Sequence, residues 1–365
     1  MERSRKSAVV RRWSSVVLPV LFLSSTLAPG DSSTTSQRSV TRLGEGINVI
    51  RHPDAPDTFP QGNTTVIIGD RGVLVIDSCL LPSSAREDIE QIKKWTDKPV
   101  TWLLNTHWHF DHTLGNRTYA DAFPAIQIVA HTATRRTIAD YNPGAVARYP
   151  GRAERFRKTL ESGKDTDGNP LTAGERKEYE RALAGLAPVV EELKNTTQLA
   201  PNVVFDDTLD IDLGNRQVQV RHLGPGNTAG DTIVYLPAEK ILVTGDLLVH
   251  PIPYFFGGFP VDFPRTLRVL AQIDARTIVP GHGEILRSKD YILRVADLLE
   301  TVNALIDKEI NEGRTLEEVA QSVPGSPEVK AWRRKFAGSD VDEGDFFDTT
   351  LEALVKAAYN QIKMR

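Results

Sequence analysis

Cysteine is almost absent from this chain of 365 residues, which contains only Cys79. A single cysteine excludes any disulfide bond within the chain, so stability must come from a packed core and from any metals that bind. Because Cys79 follows an apolar run, we expect a buried thiol and not a nucleophile. The chain also lacks an excess of positive charge. Its net charge is −4, which argues against a nucleic-acid-binding surface.

A long hydrophobic run is missing as well. The apolar stretch over residues 16–28 is short and contains Pro19, which does not suit a membrane span. Five basic residues precede it, and a basic segment followed by a short apolar one is typical of a secretory signal peptide. We therefore predict a signal peptide over residues 1–30 and a flexible leader over 31–42. The protein is expected to be exported, periplasmic or secreted, and free of the membrane after cleavage, with an uncleaved anchor as the alternative.

Apolar and β-branched segments alternate with helical patterns over the rest of the chain. Two helices are predicted, over residues 83–95 and 264–273. The charged region 145–196 reads as a helical insert, and the recurrence of apolar residues from 291 onward predicts a C-terminal helical extension to residue 365. The predicted strands cover residues 46–51, 64–69, 72–77, 100–104, 126–130, 203–205, 208–213, 217–222, 232–236, 240–244 and 277–279.

Three imidazoles and one carboxylate lie close together after the predicted strand 100–104: His107, His109, Asp111 and His112. In an extended chain alternate residues share a face, so His107, His109 and Asp111 can converge while His112 points away. Imidazole and carboxylate together favour Zn²⁺, with Fe or Mn as alternatives. A polar loop whose histidines only form hydrogen bonds is the competing interpretation.

Further polar residues lie at the ends of other predicted strands. Asp77, Asp246 and His282 each end one, and a glycine-rich loop contains Gly226-Asn227-Thr228. In this order the elements resemble the metallo-β-lactamase superfamily over residues 43–290. The resemblance implies an α/β fold, a four-layer αββα sandwich with a dinuclear metal site at one edge of the sheets. The helical insert and the C-terminal extension would be additions to that domain.

The resemblance also implies a role for each site residue. It assigns the side chains to two metals: His107 and His109 bind the first, Asp111, His112 and His282 bind the second, and Asp246 bridges them. Asp77 would lie beneath the site and orient a ligand imidazole, as partners of metal-bound histidines usually do. A purely structural role for Asp77, capping its own turn, is the alternative.

One position departs from the pattern of the family. The glycine-rich loop normally supplies a third histidine to the first metal, and this chain has Asn227 there. Since an amide oxygen is a weaker zinc ligand than an imidazole, we expect a first site that is weak, rich in water or empty. One or two zinc ions per chain are therefore predicted. The second site keeps its ligands, and one metal lowers the pKa of bound water to about 7.

Three more histidines lie near these motifs. His131 and His222 are expected to be structural. His250 opens the aromatic and glycine-rich segment 250–259, just beyond Asp246. We predict that this segment forms a wall of the substrate pocket, with a plain core cluster as the alternative.

The resemblance implies an exported zinc-dependent hydrolase. A metal-bound hydroxide would attack a small-molecule carbonyl substrate, such as a β-lactam or a lactone, and Asp111 would orient the water or take its proton. A thioesterase resembling glyoxalase II is an alternative that export disfavours. A non-catalytic metal-binding protein on a degenerate hydrolase scaffold is another, supported only by Asn227. An iron-dependent oxidoreductase is a third. The sequence does not predict the oligomeric state.

Overall fold

The computed structural model describes residues 37–164, 168, 170–255 and 258–365. The predicted signal peptide lies outside these ranges. Residues 39–42 belong to the first strand, so for them the prediction of a flexible leader is wrong. Their polar composition is that of an edge strand, whose backbone pairs with one neighbour while most of its side chains face solvent. Within the described ranges, no helix has the length and apolar character needed to cross a membrane.

The strands form two mixed sheets. The first sheet has seven strands in chain order, antiparallel from β1 to β4 and parallel from β4 to β7. The second has five, antiparallel from β8 to β11, with β12 parallel to β11. The strands are Ser39–Gly44 (β1), Ile47–Arg51 (β2), Thr64–Ile68 (β3), Val73–Ile76 (β4), Val100–Leu104 (β5), Gln127–His131 (β6), Val203–Phe205 (β7), Thr208–Asp212 (β8), Gln217–His222 (β9), Thr232–Leu236 (β10), Ile241–Val249 (β11) and Thr277–His282 (β12).

Helices cover the outer face of each sheet. They are Pro82–Trp95 (α1), Phe110–Thr113 (α2), Asn116–Ala122 (α3), Thr132–Asp140 (α4), Asn142–Arg148 (α5), Arg152–Ser162 (α6), Ala173–Leu193 (α7), Phe263–Leu270 (α8), Asp290–Asn311 (α9), Leu316–Gly325 (α10), Pro327–Ala337 (α11) and Val341–Lys363 (α12). Helices α1 and α3 pack on the first sheet. Helices α8 to α12 pack on the second.

The fully apolar strand β4 shows why the molecule has four layers. Successive side chains of a strand point to opposite faces. Leu74 and Ile76 pack between the two sheets, whereas Val73 and Val75 pack under α1. Because both faces of the strand are covered, it has no polar face. The predicted αββα sandwich with a C-terminal helical region is confirmed.

The helical region between β6 and β7 begins earlier than predicted. Helix α4 follows β6 directly and has no strong start signal in the sequence, because its N-cap acceptor is the imidazole of His131. Pro143 lies in the first turn of α5, where its fixed φ suits a helix start, so it does not mark a boundary. The capping box between Thr172 and Glu175 opens α7, as the sequence indicates. Helix α11 lies within the predicted C-terminal helical extension.

Strand β11 is longer than predicted and carries Asp246 in its interior, not at its end. Gly245 has a φ of +52°, and the register with β12 shifts on both sides of it. This irregularity re-aims the next side chain, as β-bulges do. Gly281 of β12 makes room for that side chain, because a Cβ there would lie 2.0 Å from Asp246 Oδ1.

Candidate metal centre

Two groups of donor side chains meet at one edge of the sandwich, and together we call them the candidate centre. The first group is His107, His109 and Asp246, and the second is Asp111, His112 and His282. Within each group the donor atoms all lie within 4.8 Å of one another. The segment after β5, the short helix α2 and the parallel strands β11 and β12 bring them together. Six of the seven predicted ligand residues are therefore in the two groups, and Asn227 is the seventh.

The orientation predicted for His112 is wrong. The chain is not extended beyond His109, because α2 begins at Phe110. In a helical turn, consecutive side chains differ by about 100° and not by 180°. Asp111 and His112 can therefore face the same donor group. His112 Nε2 lies 3.0 Å from His282 Nε2 and 3.5 Å from Asp111 Oδ2.

Asp246 lies between the two groups and presents one oxygen to each. Its Oδ2 is 3.3 Å from His107 Nε2 and 3.8 Å from His109 Nδ1. Its Oδ1 is 3.3 Å from His112 Nε2 and 3.6 Å from His282 Nε2. Ligands of a tetrahedral zinc ion with bonds of 2.0–2.1 Å lie about 3.3 Å apart. The spacing of the donors is thus that of ligands around a small cation.

The charges in the candidate centre also favour a cation. Burial raises the pKa of Asp246, but His112, His107 and His282 outweigh it and hold the pKa well below its usual value. Burial lowers the pKa of His112, but Asp246, Asp111 and Asp77 outweigh it and raise the pKa well above its usual value. The carboxylates therefore stay ionised and draw positive charge to this point.

The hydrogen bonding fits a metal as well. Burial lowers the pKa of His107 to about 4, so this imidazole is neutral and can serve as a ligand. His107 Nε2 and Asp246 Oδ1 are buried and have no hydrogen-bond partner in the described part of the chain. Buried polar atoms without partners are uncommon in folded proteins, and a bound ion can satisfy such atoms. The donor set therefore fits one or two divalent cations.

Asp77 supports both donor groups from below. Its Oδ2 accepts a hydrogen bond from His112 Nδ1 at 2.9 Å and another from the Thr106 hydroxyl at 2.8 Å. Its Oδ1 accepts from the backbone N–H of Thr106 at 2.8 Å. The Thr106 hydroxyl also lies 3.0 Å from His107 Nδ1. Asp77 thus orients an imidazole and stabilises a turn, which are the two roles the sequence left open.

Three buried polar residues near the centre carry no clear signal in the sequence. The Ser78 backbone N–H donates to the His112 carbonyl at 2.9 Å, and its hydroxyl donates to Asn116 Oδ1. The amides of Asn105 and Asn116 bond to each other, at 2.8 and 3.0 Å. Their only cue in the sequence is that polar residues flank a motif at the end of an apolar strand. Ser78, Asn105 and Asn116 thus hold the backbone at His112 in place.

Gly62 gives His112 its space. It lies in the loop between β2 and β3, and its backbone N–H donates to the Asp111 carbonyl at 3.2 Å. A Cβ at this position would lie 2.3 Å from His112 Cε1. No short motif marks this glycine, because its neighbour in space is 50 residues away along the chain.

The loop that contains Asn227 packs against segments that carry the first group. The residue after this loop, Thr232, donates its backbone N–H to the Thr106 carbonyl at 2.8 Å. A Cβ on Gly226 would contact the side chain of Leu247, which follows Asp246. Asn227 is 2% exposed, and neither atom of its amide has a hydrogen-bond partner among the described residues. Its side chain therefore has unused capacity to bind a polar group.

Among the described residues of the segment 250–259, Tyr254 lies near the centre. The Tyr254 ring lies 6.3 Å from the His109 ring, and Trp108 packs against His109 from the motif itself. Phe255 instead packs against Phe263 in the hydrophobic core. The segment is thus part wall and part core.

The remaining predictions for single residues agree with the structure. The His131 and His222 rings pack 4.3 Å apart, and His222 Nδ1 donates to the Asp231 carbonyl at 2.8 Å. Both imidazoles therefore have structural contacts outside the two donor groups. Cys79 is fully buried, as predicted.

Comparisons with known proteins agree with this geometry. A family model described as the metallo-beta-lactamase superfamily matches residues 57–282. The linear primary-alkylsulfatase of Pseudomonas sp. is 23% identical over 278 residues, which are 73% of this chain and 51% of that protein. The chain therefore spans about half the length of this curated relative.

Solved structures share the fold at low identity. The stereoselective inverting sec-alkylsulfatase Pisa1 from Pseudomonas sp. matches with a TM-score of 0.58 and 17% identity, over 88% of this chain and 50% of that one. A metallo-beta-lactamase from Pontibacter korlensis matches with a TM-score of 0.51 and 18% identity, over 72% of this chain and 99% of that one. The family match covers more than half of the sequence and includes the sandwich and its donor groups. The chain therefore belongs to the metallo-β-lactamase superfamily of hydrolases.

Proposed function

We propose that this protein is an exported, zinc-dependent hydrolase that uses water to cleave a small ester-like molecule. The observation that carries the proposal is the position of Asp246, whose two oxygens face separate groups of imidazole and carboxylate donors. The predicted roles of His107 and His109 at one metal, and of Asp111, His112 and His282 at another, are retained in this proposal. Asn227 contributes an amide beside the first group.

When bound, a divalent metal supplies Lewis acidity and lowers the pKa of water to about 7. The side chains supply orientation and proton transfer. Burial raises the pKa of Asp111, but His112 and His282 outweigh it and lower the pKa, so this carboxylate is ionised at neutral pH and its oxygens can accept hydrogen bonds. Its Oδ2 lies 3.1 Å from His282 Nε2 in the second group. We assign Asp111 to orienting the attacking water and taking its proton.

Tyr254, whose ring lies 6.3 Å from the His109 ring, offers a hydrogen-bond donor near the candidate centre. Burial raises the pKa of its hydroxyl well above the usual value, and the carboxylates of Asp111 and Asp246 raise it further. The hydroxyl is therefore protonated at neutral pH. A hydrogen bond from it would stabilise negative charge that develops on a substrate oxygen.

Carbonyl compounds, including β-lactams and lactones, are the first substrate class that we propose. A metal-polarised carbonyl needs an acceptor for the water proton and a donor for the developing oxyanion, and Asp111 and Tyr254 offer these two functions. Glutathione thioesters are tested in the same panel.

Alkyl sulfate esters are a second substrate class. The similarity to a linear primary-alkylsulfatase over 73% of this chain favours them. The match to sec-alkylsulfatase Pisa1 covers 88% of this chain, against 72% for the lactamase, and so extends further along it.

The test uses mature protein loaded with zinc and a panel of a chromogenic cephalosporin, a lactone, a p-nitrophenyl ester, a glutathione thioester and an alkyl sulfate. Turnover of at least one compound is expected, and Asp111→Ala should lower it by about 10²–10⁴-fold. Asp210→Asn, which changes an exposed carboxylate of β8, is the matched control. Tight zinc binding without turnover of any compound would favour the non-catalytic alternative.

Export is tested separately by expressing the full chain in a bacterial host and sequencing the N-terminus of the mature protein. A periplasmic product that begins near residue 30 is expected. A product that retains residues 1–30 in the membrane fraction would favour an uncleaved anchor.

A further inference from the structure

A second cluster of potential metal ligands lies beneath the first sheet, outside the candidate centre. It contains His52 after β2, Cys79 after β4 and Asp88 on α1, and we call it the buried cluster. The three donor atoms lie within 4.8 Å of one another. Cys79 and Asp88 are fully buried, and His52 is 6% exposed. Imidazole, thiol and carboxylate thus meet in the interior of the protein.

The polar atoms of the buried cluster are not fully used by the protein. His52 Nε2 lies 3.1 Å from Asp88 Oδ2, yet Asp88 Oδ2 has no hydrogen-bond partner in the part of the chain that the structure describes. The same is true of His52 Nδ1 and of the Tyr119 hydroxyl, which is also fully buried. Buried polar atoms that form no hydrogen bond carry a cost in free energy, which an ion bound between them would offset.

Arg38 fixes one side of the cluster and leaves the other side available. Its Nη2 donates to Asp88 Oδ1 at 2.8 Å, while Oδ2 faces His52. Its Nε lies 4.0 Å from Glu87, so its charge is shared between two carboxylates. Arg38 thus resembles the outer partners that hold metal-ligating carboxylates in position.

We propose that His52, Cys79 and Asp88 form a second metal site, which binds Zn²⁺ or another borderline-soft divalent cation. Nitrogen, sulfur and oxygen donors together suit zinc. On binding, the Cys79 thiol releases its proton to solvent and coordinates as the thiolate. The Tyr119 hydroxyl is the proposed fourth ligand.

The role of this site is structural. Its proposed ligands come from four separate elements, so a metal would join the end of β2, the end of β4, α1 and α3. No side chain of the cluster is exposed to substrate, and burial raises the pKa of Cys79 well above its usual value, which disfavours a nucleophilic thiol. A metal that binds only the folded chain would increase its stability.

Cobalt substitution tests the proposal. Because Cys79 is the only cysteine, a thiolate-to-cobalt charge-transfer band in the near ultraviolet has a single possible origin. Protein loaded with Co²⁺ should show this band, Cys79→Ser should lose it, and His282→Ala, altered only in the candidate centre, should keep it. Elemental analysis of zinc-loaded protein should show about one metal ion fewer in Cys79→Ser than in the wild type.

Two results would overturn the proposal. One is a cobalt-loaded wild type that shows the visible bands of bound Co²⁺ without the charge-transfer band. The other is equal zinc content in the wild type and in a folded Cys79→Ser variant. If Cys79→Ser does not fold, the absorbance of the cobalt-loaded wild type decides alone, since the chain has no other sulfur of this kind.

Discussion

The two donor groups of the candidate centre differ in how firmly the protein holds them. In the second group, Asp77 fixes the imidazole of His112, and Ser78 fixes its backbone. In the first group, the corresponding partner of His107 is a neutral hydroxyl, that of Thr106. The neighbouring Asn227 amide is buried without a hydrogen-bond partner among the described residues.

This difference shows that two metal sites built on one bridging carboxylate need not be equivalent. A carboxylate behind a ligand imidazole raises its basicity and fixes its orientation, whereas a hydroxyl does so less strongly. We therefore expect the second group to bind metal more tightly than the first. The following four experiments test the two groups and their surroundings, from the largest expected effect to the smallest.

Gly62→Ala should damage the second group most. The added Cβ would lie 2.3 Å from His112 Cε1, so the imidazole must move. Turnover should fall by about 10²-fold, as misplacements of about 1 Å can cause, and the free energy of unfolding by about 1–3 kcal/mol. Steady-state kinetics and urea denaturation measure the two effects. Gly325→Ala is the control, because a Cβ there meets no atom within 4 Å. Unchanged turnover would mean that the position of His112 is not critical.

Asp77→Asn should weaken metal binding at the second group by about 10–100-fold. The variant keeps the shape of the side chain, but its one remaining oxygen cannot accept all three of the hydrogen bonds that Oδ1 and Oδ2 now accept. Thr106→Val is the matched comparison, since it removes the hydroxyl beside His107 and should weaken mainly the first group. Metal titrations by calorimetry separate the two. If both variants lose the same metal affinity at the same group, the comparison is contradicted.

Asn227→His should strengthen the first group by about 10-fold and add about one metal ion per chain to the content of the wild type. An imidazole is a better zinc ligand than the amide that it replaces. Elemental analysis after dialysis gives the stoichiometry, and Asn227→Gln, which keeps an amide, is the control. If the variant holds no more metal than the wild type, the first site is not weak.

Asp54→Asn should reduce the pH dependence of the free energy of unfolding. Asp54 lies near His282 of the second group. Burial raises the pKa of Asp54 from 3.8 to about 6, with His282 and Arg181 opposing the rise. A raised pKa means that the contribution of Asp54 to stability is fully present below pH 3.8 and is lost as the pH rises through 6. Since the side chain keeps some exposure, we expect a loss of only about 1 kcal/mol.

Urea denaturation of metal-free protein between pH 4 and 7 measures this loss, and it should be smaller in Asp54→Asn. Asp210→Asn, on the exposed side of β8, should retain the wild-type pH dependence. The same pH dependence in the wild type and in Asp54→Asn would exclude Asp54 as its source.

Much of the fold follows from local patterns. The run Val73–Ile76 is entirely apolar because the strand is covered on both faces, and such a run can be recognised without a structure. Asp77, after this run, and the histidines after β5 stand out because polar groups at the ends of buried strands need partners. That these residues bind metals stays a prediction, and their convergence is a structural finding.

Other features depend on contacts that local patterns do not encode. The turn of α2 rotates His112 toward His282, which is 170 residues away along the chain. The irregularity at Gly245 turns Asp246 inward. The Asp246 side chain fits there because residue 281, on another strand, is a glycine. A sequence pattern reports the preference of a segment, and it does not report which distant segment completes the environment.

The sequence by itself determined most of the strands of this protein and the types of side chain at their ends, because apolar periodicity and strand-end polarity are local properties. Only the tertiary structure showed that those side chains converge around Asp246, and that His52, Cys79 and Asp88 meet beneath the first sheet. The physical reason is that donor geometry depends on the packing of segments far apart in the chain. A shift of about 1 Å in that packing is enough to make or abolish a site.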